Sequence, residues 1–246
     1  MLIAPIVDAK ELSGCNTKTT HALMIANFET GSLNSGQVGV VPNFPEAKDA
    51  LVLVHDPVRS GNFALKVTID KTKKYISAGA YRAEYGTVSN YSSQYNIGDF
   101  RIYKFSVYLP EGWEVDSRAS IDSVFQFKRF GKGPDMFVAI KGADLVLRTL
   151  DSRQDVIVDK IRTGQWIDVC LDVYWSPIIG EVNVFAKYSD EPIYSHKFTF
   201  NGPNMIDTGY GNSYLKWGLY KPGYDASVST RPRVIFMDDI GIYTSH

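Results

Sequence analysis

The chain has 246 residues, of which 44% are hydrophobic and 22% charged, a composition typical of a folded globular protein. Its formal net charge of -1 excludes a protein-wide positive field for nucleic acid, so any recognition of anions must be local. No stretch is long and apolar enough to span a membrane as a helix.

Short apolar stretches separated by turn residues follow one another along the chain. Alternating or apolar runs predict strands over residues 23–31, 51–55, 63–69, 78–85, 100–109, 123–129, 136–140, 144–150, 166–175, 181–188, 214–221 and 233–243. No window of about 12 residues has a helical period. We therefore predict an all-β jelly roll of two antiparallel sheets, with residues 1–22 as an N-terminal arm and residues 23–246 as one domain.

Two cysteines, Cys15 and Cys170, allow either one disulfide or two free thiols. The segment Leu12–Cys15 resembles a lipoprotein cleavage site, but charged residues precede it where an apolar run should lie. The start of the chain also lacks the basic region and apolar run of a secretory signal. The histidines show no ligand spacing, which argues against a histidine-based metal site.

The stretch from Tyr214 to Lys221 alternates strictly and carries two different faces. One face is apolar and suits a core: Leu215, Trp217 and Leu219. The other face holds two phenols and an ammonium around a glycine: Tyr214, Lys216, Gly218 and Tyr220. A glycine inside a strand lets a bulky group approach the backbone, so we expect Gly218 to leave room for a ligand.

Two further predicted strands carry polar residues opposite their apolar ones. Arg82 and Glu84 share a face of one strand, and Gln126 and Lys128 share a face of another. An exposed ion pair or a plain solvated face would explain each pair alone. If the strands neighbour the 214–221 strand in one sheet, they form a patch of Arg, Gln, Lys and Tyr side chains.

This set of side chains suits β-elimination at a uronic acid. The reaction removes the proton at C5, next to the carboxylate, and expels the oxygen on C4. Arg and Gln donors can neutralise the carboxylate and so stabilise the enolate that forms. A Lys with a lowered pKa can take the proton, and a Tyr can protonate the leaving oxygen.

The three segments resemble the motifs of jelly-roll polysaccharide lyases. Alginate lyases of family 7 carry an Arg-x-Glu strand, a Gln-x-His strand and a Tyr-x-Lys-x-Gly-x-Tyr strand, in the order found here. The chain is also similar to the group that contains heparin lyase I and glucuronan lyase. That similarity lies in four segments: Asn27–Gly31, Ser60–Val67, Gly164–Trp166 and Phe236–Ile240.

The resemblance implies a role for each matching position. Arg82 and Gln126 would bind and neutralise the carboxylate, and Tyr220 would donate the proton. Lys128 stands where the related enzymes have His, so the base is either Lys128 or Tyr220 itself. A Lys base predicts an alkaline optimum. Tyr214 and Lys216 would line the subsite. The other residues expected to bind substrate are Glu84, on the Arg82 strand, and three members of a local excess of Lys and Arg: Arg129, Lys141 and Lys221.

The resemblance also suggests a structural calcium ion. Glu29, Asn62 and Asp239 would supply the oxygen ligands, which suit a hard cation. The alternative is that these side chains only cap turns.

We expect a monomeric lyase of an anionic polysaccharide, secreted, periplasmic or on the cell surface. A glucuronate polymer such as glucuronan or ulvan is favoured over a heparin-like polymer or alginate. The main alternative is a non-catalytic carbohydrate-binding module on the same fold. A glycoside hydrolase is less favoured, because the signature Glu-x-Asp-x-x-Glu is absent: Ala119 stands where its second Glu should be.

Overall fold

The computed structural model describes residues 15, 20–42, 48–73, 76–77, 79–116, 121–207, 213–226 and 231–245. This part of the chain contains β-strands and short 3-10 turns, and none of it is α-helical. The strands are β1 (Thr20–Ala26), β2 (Val41–Pro42), β3 (Leu51–Val54), β4 (Ala64–Ile69), β5 (Ile76–Ser77), β6 (Ala80–Gly86), β7 (Phe100–Tyr108), β8 (Asp122–Arg129), β9 (Pro134–Lys141), β10 (Asp144–Arg148), β11 (Gln154–Val158), β12 (Trp166–Tyr174), β13 (Glu181–Tyr188), β14 (Ser195–Asn201), β15 (Ser213–Lys221) and β16 (Arg233–Ser245).

The strands form two antiparallel sheets. The groove sheet has the order β11-β10-β9-β8-β15-β6-β2, with β5 beside β6. The back sheet has the order β14-β13-β12-β7-β16-β4-β3, with β1 beside β16. The prediction of an all-β fold with two antiparallel sheets is confirmed.

The core lies between the two sheets and is rich in aromatic rings. Phe105 of the back sheet stacks on Phe125 of the groove sheet, with ring centroids 4.5 Å apart. Tyr95, in the loop after β6, stacks on Trp175 at 3.8 Å. Alternation along each strand turns such residues inward, and large buried rings contribute strongly to stability. The opposite face of the groove sheet is therefore left for polar side chains.

Four strands were missed by the sequence prediction. Two of them, β2 and β5, have only two residues each, and the other two are longer. The edge strand β14 is mostly exposed and polar, so it lacks the apolar alternation that marks a strand. The other, β11, follows the turn around Ser152 and has only two buried residues. Both lie at sheet edges, where one side of a strand has no neighbour to pack against.

The start of the described chain is tied to the back sheet. Strand β1 begins at Thr20, inside the predicted arm, and pairs with β16. Cys15 and Cys170 form a disulfide across 155 residues of sequence, which decides between the two alternatives for the thiols. Residues 1–14 and 16–19 lie outside the described residues, so the division into an arm and one domain stays a prediction. No described helix could cross a membrane.

Candidate active site

The three strands with polar faces are direct neighbours in the groove sheet, because β15 lies between β6 and β8. Tyr220 of β15 pairs with Arg82 of β6. On the other side, Lys216 pairs with Gln126 of β8 and Tyr214 pairs with Lys128. The expected patch therefore exists on one side of one sheet.

The patch forms the floor of a groove of about 380 Å³. The residues that line the groove, on its floor and sides together, are Arg82, Ile121, Ser123, Gln126, Lys128, Gly133, Pro134, Phe137, Tyr214, Lys216 and Tyr220. All four side chains expected to be catalytic line this groove. So do Tyr214 and Lys216, which were expected to bind substrate.

Glu84 lies beneath the floor and organises the groups above it. Its carboxylate is 3.7 Å from the Arg82 guanidinium and 3.6 Å from Lys216 Nζ, and it accepts a hydrogen bond from the Gln126 amide. Burial raises the pKa of Glu84, and the charges of Lys216 and Arg82 oppose that rise. The expectation that Glu84 binds substrate is wrong, since its side chain is 2% exposed and does not line the groove.

Arg82 lies between the buried carboxylate and the phenol expected to donate a proton. Its guanidinium carbon is 4.5 Å from the centroid of the Tyr220 ring. A cation over an aromatic face is attracted by the ring and also holds it in place. Arg82 can therefore orient Tyr220 and, on its open side, bind an anion.

The two lysines of the groove are both easier to deprotonate than ordinary lysines. Burial lowers the pKa of Lys128, and the nearby charge of Lys216 lowers it further. Burial also lowers the pKa of Lys216, against the opposing effect of Glu84. Lys128 Nζ donates a hydrogen bond of 2.6 Å to the Lys132 carbonyl, which positions the amine at the groove wall. A neutral amine at Lys128 is thus available at a lower pH than in water.

Gly218 is needed for the packing of the β15 backbone against β6 and does not make room for a ligand. Its φ of +129° is one that side-chain-bearing residues rarely adopt. A Cβ at this position would lie 2.2 Å from the Ala83 carbonyl oxygen and 2.8 Å from Glu84 Cα. The register between β15 and β8 also shifts between Trp217 and Tyr220. The expectation that Gly218 leaves room for a sugar is wrong, because the neighbouring strand fills that space.

Lys221 does not face the groove. It lies on the same side of β15 as the core residues and is fully buried. Its Nζ is 3.1 Å from Asp116 and 3.2 Å from Asp122, and Asp122 also contacts Arg233 at 2.6 Å. We call these four residues the inner ion cluster. The expectation that Lys221 binds substrate is wrong.

Arg129 and Lys141 also lie away from the groove. Arg129 is on the inner side of β8, 3.2 Å from the buried Asp135 and close to the Tyr95 ring. Lys141 ends β9, is exposed, and donates to the Gln154 side chain at 2.5 Å. Neither side chain lines the groove, so neither supports the expected contact with substrate.

The side chains expected to bind calcium hold a turn together. The Glu29 carboxylate accepts hydrogen bonds of 2.9–3.1 Å from the backbone and side-chain amides of Asn62 and one of 3.0 Å from Phe63 N–H. Asp239 accepts from the Ser60 hydroxyl at 2.7 Å. These N–H donors occupy both Glu29 oxygens, so a cation would have to displace them. The calcium site stays a prediction, which the metal content of the purified protein tests.

The sequence prediction missed Phe137, the aromatic wall of the groove. It lies on β9 and pairs with Gln126. The run Met136–Ile140 is continuously apolar, so alternation gave no sign of which residues face outward. A mixed pattern would have indicated the groove side.

The comparisons with known proteins agree with this geometry. The family model described as polysaccharide lyase matches residues 22–241. The chain belongs to the polysaccharide lyase family. The resemblance drawn from the motifs is thereby confirmed, and the enzyme is a polysaccharide lyase. No curated protein sequence matches the chain.

Solved structures show the same fold at low sequence identity. An endo-β-1,4-glucuronan lyase from the fungus Trichoderma reesei is similar with a TM-score of 0.64 and 18% identity, over 91% of this chain and 96% of that one. The PL-14 alginate lyase from Aplysia kurodai has a TM-score of 0.58 and 10% identity, over 91% and 99%. A GH131 β-glucanase catalytic domain from Podospora anserina also reaches 0.58, at 12% identity over 79% and 78%. The jelly roll is thus shared by lyases and a glucanase, and it does not define the substrate.

Proposed function

We propose that the enzyme cleaves a glucuronate-type polysaccharide by β-elimination and leaves an unsaturated uronic acid at the new end. The observation that carries this proposal is the convergence of Arg82, Gln126, Lys128 and Tyr220 on one groove. A hydrolase would instead need two carboxylates beside the scissile bond. Glu84, the carboxylate nearest these four residues, is buried and engaged with Arg82, Lys216 and Gln126.

The first task is to neutralise the substrate carboxylate. Arg82 offers charged N–H donors, Lys216 adds a positive charge, and Gln126 is oriented through its hydrogen bond to Glu84. Donors placed where negative charge develops stabilise the enolate that forms when C5 loses its proton. The groove cations outnumber the single buried carboxylate, so an anionic sugar is attracted to this site.

The second task is to move two protons. Lys128, as a neutral amine, takes the proton from C5, and the electrons of that C–H bond form the double bond between C4 and C5. The C4–O bond breaks, and Tyr220 gives its proton to the departing oxygen. The lowered pKa of Lys128 supports its role as the base. The competing assignment, in which Tyr220 performs both transfers, makes a different prediction for variants at position 128.

The substrate is proposed on two grounds. The fungal protein of similar structure named above is an endo-β-1,4-glucuronan lyase. The groove holds three cationic side chains around one buried carboxylate, although the whole chain has a formal net charge of -1. A short patch of positive charge suits a carboxylated polymer better than a heavily sulfated one, which would engage cations over a longer surface.

A panel of polymers tests the proposal. The enzyme is incubated with glucuronan, ulvan, heparin, alginate and hyaluronan, and the ultraviolet absorbance of unsaturated uronic acid is followed. We expect the fastest rise with glucuronan. A rise only with another polymer would correct the substrate. Binding without any absorbance on any polymer would favour the carbohydrate-binding module instead.

The disulfide supports a location outside the reducing cytoplasm. Pairs such as Cys15 and Cys170 persist in secreted, periplasmic and cell-surface proteins. We therefore propose secretion or surface exposure, where the polymer substrate would also be found. The monomeric state stays a prediction, which sedimentation of the purified enzyme tests.

A further inference from the structure

We propose that Phe137 and Arg148 form a second sugar subsite, which binds the carboxylate of a uronate two residues along the polymer from the one that is cleaved. This inference rests on the proposed function, because it extends the same groove. We call these two residues and the hollow they border the Arg148 subsite.

A straight row across the groove sheet connects the Arg148 subsite to the catalytic groups. Lys216 pairs with Gln126, Gln126 pairs with Phe137, and Phe137 pairs with Arg148. Neighbouring strands lie about 4.8 Å apart, so Arg148 is roughly 10 Å from Gln126 across the strands. A pyranose in a 1,4-linked chain advances by about one strand spacing. A polymer that crosses the strands thus places one sugar over Phe137 and the next beside Arg148.

Among the described residues, Arg148 has no carboxylate oxygen within 4.0 Å of its guanidinium. Eight other arginines in the described ranges have a carboxylate oxygen within 4.0 Å: Arg59, Arg82, Arg101, Arg129, Arg153, Arg162, Arg231 and Arg233. Arg148 instead donates a hydrogen bond of 3.0 Å to the Ser152 hydroxyl. Its charge is therefore not compensated within the described part of the chain, and an anionic ligand can supply the missing partner.

A second hollow beside the groove provides the space. It measures about 290 Å³, and its polar lining residues include Arg148, Thr149 and Ser152. Asp135 also borders it, but that carboxylate is buried and paired with Arg129. It shares Phe137 and Tyr220 with the groove, so the two spaces adjoin. The Arg148 guanidinium carbon is 5.5 Å from the centroid of the Phe137 ring, which holds the cation at the edge of an apolar platform.

The row of paired residues across the groove sheet also indicates which polysaccharide linkage fits. Successive sugars in a β-1,4-linked chain are turned by about half a rotation, so the carboxylates of residues two apart point the same way. Gln126 and Arg148 lie two strands apart on the same side of the sheet. Together they match a β-1,4-linked polymer that carries a carboxylate on at least every second sugar. The middle sugar would lie on Phe137, where an apolar ring face can stack against it.

Binding to a pure β-1,4-linked hexaglucuronate tests the subsite. Tyr220→Phe serves as the background that does not consume the ligand, and titration calorimetry compares it with Tyr220→Phe/Arg148→Met. Methionine keeps the length of the side chain over Phe137 but removes the charge. We expect binding to weaken about tenfold, the effect of losing one charge-assisted contact at a partly exposed site. Arg148→Lys should give an intermediate loss, because it keeps the charge without the planar fork.

The matched control is Arg153→Met, which removes the same charge at the nearby β10–β11 turn. Arg153 is 55% exposed, pairs with Asp155 and does not line the hollow, so its loss should leave binding unchanged. Cellohexaose has the same sugar backbone without carboxylates, so it should bind equally to Tyr220→Phe and to Tyr220→Phe/Arg148→Met. Unchanged hexaglucuronate binding in Arg148→Met, or equal losses at Arg148 and Arg153, would overturn the proposal. If the wild-type enzyme makes no unsaturated product, the proposed reaction fails, while a selective loss at Arg148 still supports the subsite.

Discussion

Strand β15 carries two buried lysines, Lys216 and Lys221, whose surroundings are opposite in character. Lys216 faces the groove with two other cations, Arg82 and Lys128, around the single carboxylate of Glu84. Lys221 faces inward, in a cluster where Arg233 and two aspartates balance the charges. The inner ion cluster is thus neutral by formal count, whereas the groove holds more positive than negative charge. The difference indicates which cluster stabilises the fold and which receives an anionic ligand.

The largest effect is expected from Tyr220→Phe, which removes the proposed proton donor and little else. We expect kcat on the cleaved polymer to fall about a thousandfold, within the usual range for loss of an acid–base group. The initial rate of absorbance increase measures this, and thermal unfolding should be unchanged. Tyr91→Phe is the control, because Tyr91 is 82% exposed in the loop after β6 and lines no part of the groove. Near-normal turnover in Tyr220→Phe would remove Tyr220 from the mechanism.

Lys221→Met should break the inner ion cluster and leave the groove intact. Removing the cation leaves Asp116 and Asp122 buried without the lysine that they share, which should lower the free energy of unfolding by about 3 kcal/mol. Urea unfolding measures this change, while kcat/KM under folded conditions should stay within about twofold, since no group of the groove is altered. Lys216→Met is the paired variant and should do the reverse, with a large loss in kcat/KM. If the two variants behaved alike, the distinction between the clusters would be wrong.

Lys128→Ala tests the identity of the base through the pH profile. A base acts when deprotonated, so activity should rise with pH through the pKa of Lys128. Burial and Lys216 lower that pKa from the ordinary value of 10.5, so the rise should occur below it. The variant should lose this rising limb and about a hundredfold in kcat. Retention of both the limb and the rate would assign both proton transfers to Tyr220.

Gly218→Ala is expected to have the smallest effect of this set. The new Cβ would collide with the backbone of β6 and force a strained φ, at a cost of about 2 kcal/mol in unfolding free energy. The midpoint of urea unfolding measures this loss of stability. Gly142→Ala is the comparison, because Gly142 also has a positive φ, +61°, but a Cβ there would meet no atom within 4 Å. Equal losses in the two variants would show that the close approach of β6 is unimportant.

The strand pattern of the core was readable from the sequence for a simple reason. Alternation marks both the position of a strand and its two faces, so Arg82, Gln126, Lys216 and Tyr220 were assigned to polar faces before their strands were known to be neighbours. The same alternation, applied strictly, also places Lys221 with Leu219 and Arg129 with Phe127. Alternation therefore predicts an inward position for Lys221 and Arg129, whereas their positive charge favours the groove, and in the structure both point inward.

Other features depend on pairs of strands that are far apart in sequence. Asp122 and Arg233 meet across 111 residues, and no local pattern indicates that contact. The role of Gly218 depends on how closely β6 approaches, and the burial of Glu84 depends on Gln126 and Lys216 closing over it. All three features depend on which residues of neighbouring strands pair with each other. That register cannot be read from the local pattern of a single sequence.

Elimination and hydrolysis leave chemically different ends on the product, so the new ends show which reaction the groove performs. Glucuronan is digested by the wild-type enzyme, and the new non-reducing ends are examined by proton NMR. We expect a vinyl proton on C4 of an unsaturated uronic acid, absent when Tyr220→Phe replaces the wild type. New ends that are all saturated, with reducing ends formed in equal number, would mean hydrolysis and would contradict this account.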